Sequence, residues 1–227
     1  MRRHVPSLLA GLLAAVSAAL LLLSGLIWMA GASSGGMLTL MRRYAPSEVT
    51  GLADEAYEPV CEMITVYLTG GLSDFQYELT NPDGTTVSCF NQREQAHMAD
   101  CRALFRLDRG VCLVCAGLLL CSMALWRFCR RKSFRQGLAW GVGVVLLPVL
   151  ALLVWGCLDF NSLFITFHRV AFTNDLWLMD WQTDLIIRLM PVEFFITYAA
   201  IIGGIWLLGL VLAEFLALRG LKKSVNA

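Results

Sequence analysis

Four long apolar runs constrain this chain more than any other feature. They lie within residues 1–30, 110–126, 137–157 and 192–217. A helix needs roughly 17–25 apolar residues to cross a bilayer, because each residue adds about 1.5 Å and the hydrocarbon core is about 30 Å thick. The second run is at the lower limit, so we expect helix to extend it on its N-terminal side. The sequence therefore predicts four transmembrane helices.

Composition agrees with a membrane protein. Hydrophobic residues make up 58% of the 227 residues and charged residues only 15%. The net charge of +1 gives no large basic face, so no nucleic-acid partner is expected. The first run follows Arg2 and Arg3 and exceeds the roughly 7–15 apolar residues of a signal peptide, which favours an uncleaved anchor. Cleavage near Ala30-Gly31-Ala32 stays an alternative.

The distribution of Lys and Arg predicts the orientation. Basic residues cluster in the connection 127–136, at the N-terminus and in the tail 218–227. By the positive-inside rule these segments are cytoplasmic. The connections 31–109 and 158–191 are then extracytoplasmic.

The connection 31–109 has the patterns of a small α+β cap. Ser47 is a predicted N-cap for a helix that runs to Leu68, with Pro59 as a kink or break. The segments 75–79 and 86–90 alternate about a turn at 81–84, which predicts a hairpin. The predicted fold class is thus an all-α membrane protein of four transmembrane helices with a small extracytoplasmic α+β cap.

Two predicted outer segments carry histidines. Asn91 and Glu94 have the spacing of a capping box, which begins a helix with His97 and Asp100 on one face. The connection 158–191 is dense in aromatic and ionisable groups, as functional connections are. It contains His168 and a predicted short helix over 183–190, capped by Thr183 or Asp180.

These two histidines form the candidate acid–base couple. Taken singly, His97 with Asp100 is more often an exposed helix pair, and His168 more often belongs to an aromatic belt at the interface. Together they are the two non-terminal histidines, both are predicted outside, and both are near carboxylates. Such a couple works near neutral pH. A metal site would need a third ligand from Glu94, Asp100 or Asp175, and no metal-binding spacing supports one, so no metal or cofactor is predicted.

The cysteines offer a competing hypothesis. Cys112 and Cys115 have C-x-x-C spacing within the second span, which would suit a membrane thiol oxidoreductase, although packing in the helix is the favoured interpretation. Three cysteines, Cys61, Cys89 and Cys101, are predicted to be extracytoplasmic, and three cannot all pair with one another. One disulfide among these three is an open alternative, and its pairing does not follow from the sequence.

Two motifs together resemble those of the lipoprotein intramolecular transacylase family, four-span proteins of the bacterial cell membrane. The similarity covers nearly the whole chain. It departs from the family pattern at Cys101, where Val is expected, and at Trp181, where Pro is usual. The motifs are Phe90-Asn91-Gln92-Arg93-Glu94-Gln95-Ala96-His97-Met98-Ala99-Asp100 and Phe167-His168 followed by Phe172-x-Asn174-Asp175-x-Trp177, Thr183-Asp184-Leu185-Ile186 and Pro191-x-x-Phe194-Phe195.

The resemblance implies an enzyme that moves the sn-2 acyl chain of a diacylglyceryl-cysteine to its own α-amine. Its substrate would be a lipoprotein, and it would act as a monomer among membrane lipids without a cofactor. The resemblance implies His97 and His168 as catalytic residues, with Glu94 as a supporting residue. The implied substrate pocket consists of Tyr44, Phe167, Phe172, Trp177 and Trp181.

We expect His97 to be the base, oriented by Asp100. We expect His168, on a loop and held by Asn174 or Asp175, to polarise the carbonyl or protonate the leaving oxygen. Both should lie at the boundary between cap and membrane. A non-catalytic membrane binding or sensor protein is the remaining alternative.

Overall fold

The computed structural model describes residues 4–80 and 84–225, with side chains as far as Leu221. Four long helices alternate with short helices and one small antiparallel sheet. In chain order the elements are α1 His4–Ala32, α2 Ser34–Tyr44, α3 Ser47–Thr50, α4 Asp54–Thr69, β1 Glu78–Thr80, β2 Thr86–Ser88, α5 Gln92–Trp126, α6 Arg131–Leu158, α7 Phe160–Ala171, α8 Leu185–Leu189 and α9 Val192–Val225.

The helices α1, α5, α6 and α9 are long and apolar enough to cross a membrane. The four predicted spans and the small sheet are confirmed. The helix α5 is 35 residues long and passes Gly110 without a break, so the expected N-terminal extension of the second span is also found.

Contacts divide the chain into two compact units. The first contains the residues up to Leu26, Asp108–Phe160, and the residues from Ala200 onward. The second contains Ile27–Leu107 and Asn161–Ala199.

In the first unit, α1 and α6 approach closely through glycines. A Cβ at Gly11 would overlap the carbonyl of Phe134, and a Cβ at Gly137 would overlap the carbonyl of Leu8. Small residues allow such backbone contact, which is a main source of helix association in a membrane. The indole of Trp206 on α9 donates to the carbonyl of Ala19 at 2.8 Å and joins a third helix to this contact.

The second unit has its own apolar core around α4. The side chains of Tyr57, Val60, Cys61 and Ile64 are almost fully buried there. Each fully buried aliphatic side chain contributes about 1.5–3 kcal/mol of transfer free energy. Among the described residues Cys61 and the other cysteines are free thiols, so the structure contains none of the disulfides left open above.

The predicted helix from Ser47 to Leu68 is wrong in its N-terminal part. The helix α3 ends at Thr50, and its C-cap Gly51 has a φ of 75°, a left-handed conformation that glycine adopts without strain. Ser47 makes no cap, since the N-cap of α3 is Pro46. The chain is anchored at this break because the buried Tyr57 hydroxyl donates to the Ala45 carbonyl. Pro59 lies inside α4, which continues through it.

The hairpin is shorter than predicted. The strands β1 and β2 pair antiparallel with Leu79 opposite Val87. Phe75 and Phe90 leave the strands and pack ring to ring in the core with centroids 4.7 Å apart, because burial of two aromatic rings outweighs further strand pairing. Most of the predicted turn, 81–83, lies outside the described residues.

Candidate active site

The first turn of α5 is held by the predicted capping box. The Asn91 side chain accepts the backbone N–H of Glu94 at 3.0 Å, and Glu94 Oε2 accepts the backbone N–H of Asn91 at 2.7 Å. These two bonds satisfy donors that a helix N-terminus otherwise leaves open. His97 follows one turn later on a backbone that is therefore fixed.

Glu94 also caps a second helix. Its side chain is only 1% exposed, and Oε1 accepts the backbone N–H of Ile186 at 2.7 Å in the first turn of α8. The predicted caps Thr183 and Asp180 are wrong, since the N-cap position of α8 is Asp184 and its side chain makes no cap bond. The backbone N–H donor of Ile186 at the start of α8 is instead satisfied by the Glu94 carboxylate, which lies 92 residues earlier in the chain.

Asp184 is a second buried carboxylate, 3% exposed. Its Oδ1 accepts from Asn91 Nδ2 at 2.7 Å and from the Thr183 hydroxyl at 3.0 Å, while Oδ2 accepts the backbone N–H of Asp180 at 2.8 Å. Burial alone would raise its pKa, but the hydrogen bonds outweigh burial and the pKa of Asp184 is lowered. Asp184 is therefore an anion at neutral pH.

His168 lies on a helix, which corrects its predicted place on a loop. One non-helical residue, Asp159, separates α6 from α7, so a new helix begins where the apolar run ends. His168 is 9% exposed, and its Nδ1 donates to the carbonyl of Phe164 at 2.7 Å. The predicted partners Asn174 and Asp175 do not hold this ring, because the carbonyl one turn earlier on α7 is already aligned with it.

That bond assigns the tautomer of His168. A carbonyl oxygen only accepts, so Nδ1 carries the proton and Nε2 has a free lone pair in the neutral ring. Burial lowers the pKa of His168 below its ordinary value of 6.5. The ring is thus a neutral base at pH 7.

His97 is 8% exposed, and Asp100 does not orient it as predicted. Its Nε2 lies 3.5 Å from the thiol of Cys101, while its buried Nδ1 has no hydrogen-bond partner among the described residues. Asp100 instead accepts from Asn174 Nδ2 at 2.8 Å. Cys101, four positions after His97, therefore contacts the His97 ring, whereas Asp100, three positions after it, contacts the segment 173–184.

The two imidazoles face each other in one aromatic enclosure. Their ring centroids are 6.2 Å apart and their planes differ by 26°. Phe172 touches both, at 5.1 Å from the ring of His97 and 5.6 Å from that of His168. Around His168 lie the rings of Phe164 at 4.2 Å, Trp177 at 5.2 Å and Phe167 at 5.4 Å.

The structure brings three of the five predicted pocket residues to the histidines: Phe167, Phe172 and Trp177. Tyr44 instead hydrogen-bonds Thr197 at 2.8 Å and packs against the core of the second unit. Trp181 is 51% exposed. Neither makes a ring contact with His97 or His168 in the part of the chain that the structure describes.

Sequence reasoning missed Phe164 and the role of Asp184. Phe164 precedes His168 by four residues, which is a helical spacing, but the sequence predicts a connection over 158–191 and so gives this spacing no weight. Asp184 gives no local signal, because its partner Asn91 is far away in the chain. A metal site finds no support in the ligand arrangement, since the described residues contain no cluster of three or more His, Cys, Asp or Glu suited to an ion.

Four membrane-length helices define an integral membrane protein, and its described residues include a buried imidazole pair within an aromatic enclosure. A family model described as "Lipoprotein intramolecular transacylase Lit" matches residues 12–195. The chain belongs to this family, which confirms the resemblance drawn from the two motifs, and the activity of the family is that of an acyltransferase.

Solved structures show the same fold. The membrane-integral lipoprotein intramolecular transacylase Lit from Bacillus cereus is 19% identical, with a TM-score of 0.75 over 97% of this chain and 98% of that chain. A variant of that protein with one histidine changed to alanine gives 19% identity and a TM-score of 0.70, covering 97% and 96%. No match was found among curated protein sequences.

Proposed function

We propose that this protein is a lipoprotein intramolecular transacylase whose acid–base couple is His97 and His168. It moves the sn-2 acyl chain of a diacylglyceryl-cysteine to the free α-amine of the same cysteine and leaves an N-acyl, lyso-form lipoprotein. The observation that carries the proposal is the ring pair, two buried imidazoles 6.2 Å apart in one aromatic enclosure. Family membership supplies the reaction.

The reaction is the aminolysis of an ester. The amine nitrogen attacks the sn-2 carbonyl carbon, a tetrahedral oxyanion forms, and the bond from that carbon to the glyceryl oxygen breaks. The amine loses one proton and the glyceryl oxygen gains one, so protons balance without any outside reagent. The site must supply a base, an acid and a donor to the oxyanion.

His168 fits the roles of base and acid in turn. Its Nδ1–H is held by the Phe164 carbonyl, which fixes the ring and stabilises the cation that forms when Nε2 takes the amine proton. The same Nε2–H then protonates the departing glyceryl oxygen. General acid–base catalysis of this kind contributes about 10²–10⁴-fold. This assignment exchanges the roles expected from the sequence.

His97 fits the role of the electrophile. In this proposal the thiol of Cys101, 3.5 Å from Nε2, donates to that nitrogen, so that Nδ1 carries the proton of the neutral ring. Nδ1 is buried and has no hydrogen-bond partner within the described part of the chain, so a substrate oxygen would satisfy it. A neutral imidazole N–H then polarises the sn-2 carbonyl and stabilises the oxyanion.

The aromatic enclosure accounts for transfer in place of hydrolysis. Phe172 and Trp177 cover the rings and would keep water from the ester. Donor and acceptor belong to one substrate molecule, so proximity can supply roughly 7–11 kcal/mol of the barrier reduction. The enzyme mainly has to fold the lipid back on its own amine.

We also propose that both termini are cytoplasmic, that the second unit faces the outside of the bacterial cell membrane, and that the protein acts as a monomer among membrane lipids. The basic connection 127–136 supports this orientation. A cysteine introduced at the exposed Ser73 should react from outside with a membrane-impermeant maleimide. Labelling only after the membrane is opened would contradict the orientation.

Mass spectrometry of lipoprotein N-terminal peptides tests the function. Cells that express this protein should yield N-acyl, lyso-form peptides, and cells that lack it should not. Identical peptide masses in both would overturn the proposal and favour a binding or sensor protein.

A further inference from the structure

The N-terminal turns of α5 are joined to the segment 173–184 on both sides of His97. Two joins lie before the histidine and one lies after it along the helix. Each joins residues 74 to 93 positions apart in the chain, so none follows from local structure. The joins are Asn91 Nδ2 to Asp184 Oδ1 at 2.7 Å, Arg93 Nη2 to the Asp175 carbonyl at 3.3 Å, and Asn174 Nδ2 to Asp100 Oδ2 at 2.8 Å.

The join between Asn91 and Asp184 is the one with a buried carboxylate. Both side chains have a second fixed contact, since Asn91 Oδ1 caps α5 through the Glu94 N–H and Asp184 Oδ2 holds the Asp180 N–H. Neither side chain can turn without breaking another bond. The pair therefore sets one distance between α5 and the end of the segment.

The distance between α5 and this segment affects how His168 and its aromatic neighbours are placed relative to His97. The segment carries Trp177, whose ring packs 5.2 Å from that of His168 and whose indole N–H donates to the Asn174 carbonyl at 2.9 Å. His97 lies on α5, two turns beyond Asn91. A shift of the segment along α5 would move Trp177 and the end of α7 relative to His97.

We propose that Asn91 and Asp184 are positioning residues for the acyl transfer: their bond holds the His168 side of the site in register with His97. The proposal rests on the proposed function. It assigns to this pair no contact with the substrate and no proton of the reaction.

A reciprocal exchange tests it. Asn91→Asp alone sets two carboxylates against each other, and Asp184→Asn alone sets two amides against each other. The double variant Asn91→Asp/Asp184→Asn restores one donor facing one acceptor. It also keeps an oxygen for the Glu94 N–H and one for the Asp180 N–H. Asp54→Asn, an exposed Asp at the start of α4, is the matched control for loss of a carboxylate.

The readout is kcat and KM for acyl transfer on a synthetic diacylglyceryl lipopeptide, measured well below the unfolding temperature. Each single variant should lower kcat about 10- to 100-fold, the range that a roughly 1 Å misplacement of reacting groups produces, with little change in KM. The double variant should recover most of the lost kcat.

Single variants that melt earlier yet keep kcat would overturn the inference, as would a double variant no better than either single. Absence of transfer by the unmodified protein would instead overturn the proposed function, so the two failures are distinguishable.

Discussion

Glu94 Oε1 accepts the backbone N–H of Ile186 at 2.7 Å, so a carboxylate near the start of α5 caps α8, which lies 92 residues further along the chain. The other oxygen of the same carboxylate caps α5 itself through the Asn91 N–H. One side chain thus fixes two helix N-termini, that of α5, which carries His97, and that of α8.

Glu94→Gln should destabilise the protein, because an amide keeps only one oxygen and its NH2 group must face one of the two backbone N–H donors. A buried donor left unsatisfied costs about 1–3 kcal/mol. Thermal unfolding in detergent should show a lower midpoint than for Glu62→Gln, whose parent side chain is exposed on α4. Equal midpoints for the two variants would contradict this role.

His97→Asn and His168→Asn should each nearly abolish acyl transfer while the fold stays intact. Each removes one of the two roles, and loss of a general acid–base group typically costs about 10²–10⁴-fold. Turnover of a diacylglyceryl lipopeptide measures the loss, and circular dichroism checks the fold. His4→Asn is the matched control, since His4 bonds Ser133 in the first unit. Full activity in either site variant would rule out His97 and His168 as the acid–base couple.

The pH dependence should follow His168. Burial lowers its pKa in the free protein below 6.5, so the base stays neutral at pH 7 and kcat/KM should fall only at a pH below 6.5. Over the same window the unfolded chain takes up a proton that the folded chain does not, so stability should decrease as the pH falls from 6.5 toward the lowered pKa.

His168→Asn should remove that part of the pH dependence. Between neutral and mildly acid pH, the unfolding midpoint of the native protein should fall more steeply than that of the variant. A parallel decline of both curves, or an acid limb of kcat/KM centred above 6.5, would contradict the assignment.

Asp100→Asn should give only a partial loss of transfer. Asp100 holds the Asn174 side chain and makes no hydrogen bond to His97, so it acts on the segment and not on a reacting nitrogen. Asn174→Ala should give at least as large a loss, because Asn174 Oδ1 also accepts the backbone N–H of Leu176 at 3.0 Å. The double variant should be no worse than Asn174→Ala alone, because the bond to Asp100 is already lost in that variant. Additive losses in the steady-state rates would show that the two residues act separately.

Replacement of Cys112 and Cys115 by alanine should leave acyl transfer unchanged. Both thiols lie on α5 and belong to the first unit, whereas the enclosure around the histidines consists of residues of the second unit. A membrane thiol oxidoreductase would lose all activity with the same change. Lipopeptide turnover and a dithiol oxidation assay on one preparation separate the two functions.

Features with short-range causes could be predicted from the sequence. Four spans follow from run length, since a bilayer accepts only segments that satisfy their own backbone. The capping box of Asn91 and Glu94 was readable because its partners are three residues apart. The couple of His97 and His168 came from the resemblance between motifs and from the scarcity of histidine, without any distance between the rings.

The partners of those rings were decided by tertiary structure. The sequence predicts that Asp100 orients His97, but Asp100 instead accepts a hydrogen bond from Asn174. A side chain on a helix can reach more than one neighbour, and only the tertiary packing decides which neighbour it contacts. The sequence predicts a loop around His168, but His168 lies on α7, and the carbonyl of Phe164 on the same helix fixes its tautomer. Asp184 meets Asn91 only after the chain has folded. Spacing along a sequence determines which groups share a helix face, whereas the group opposite that face depends on contacts between residues far apart in the chain.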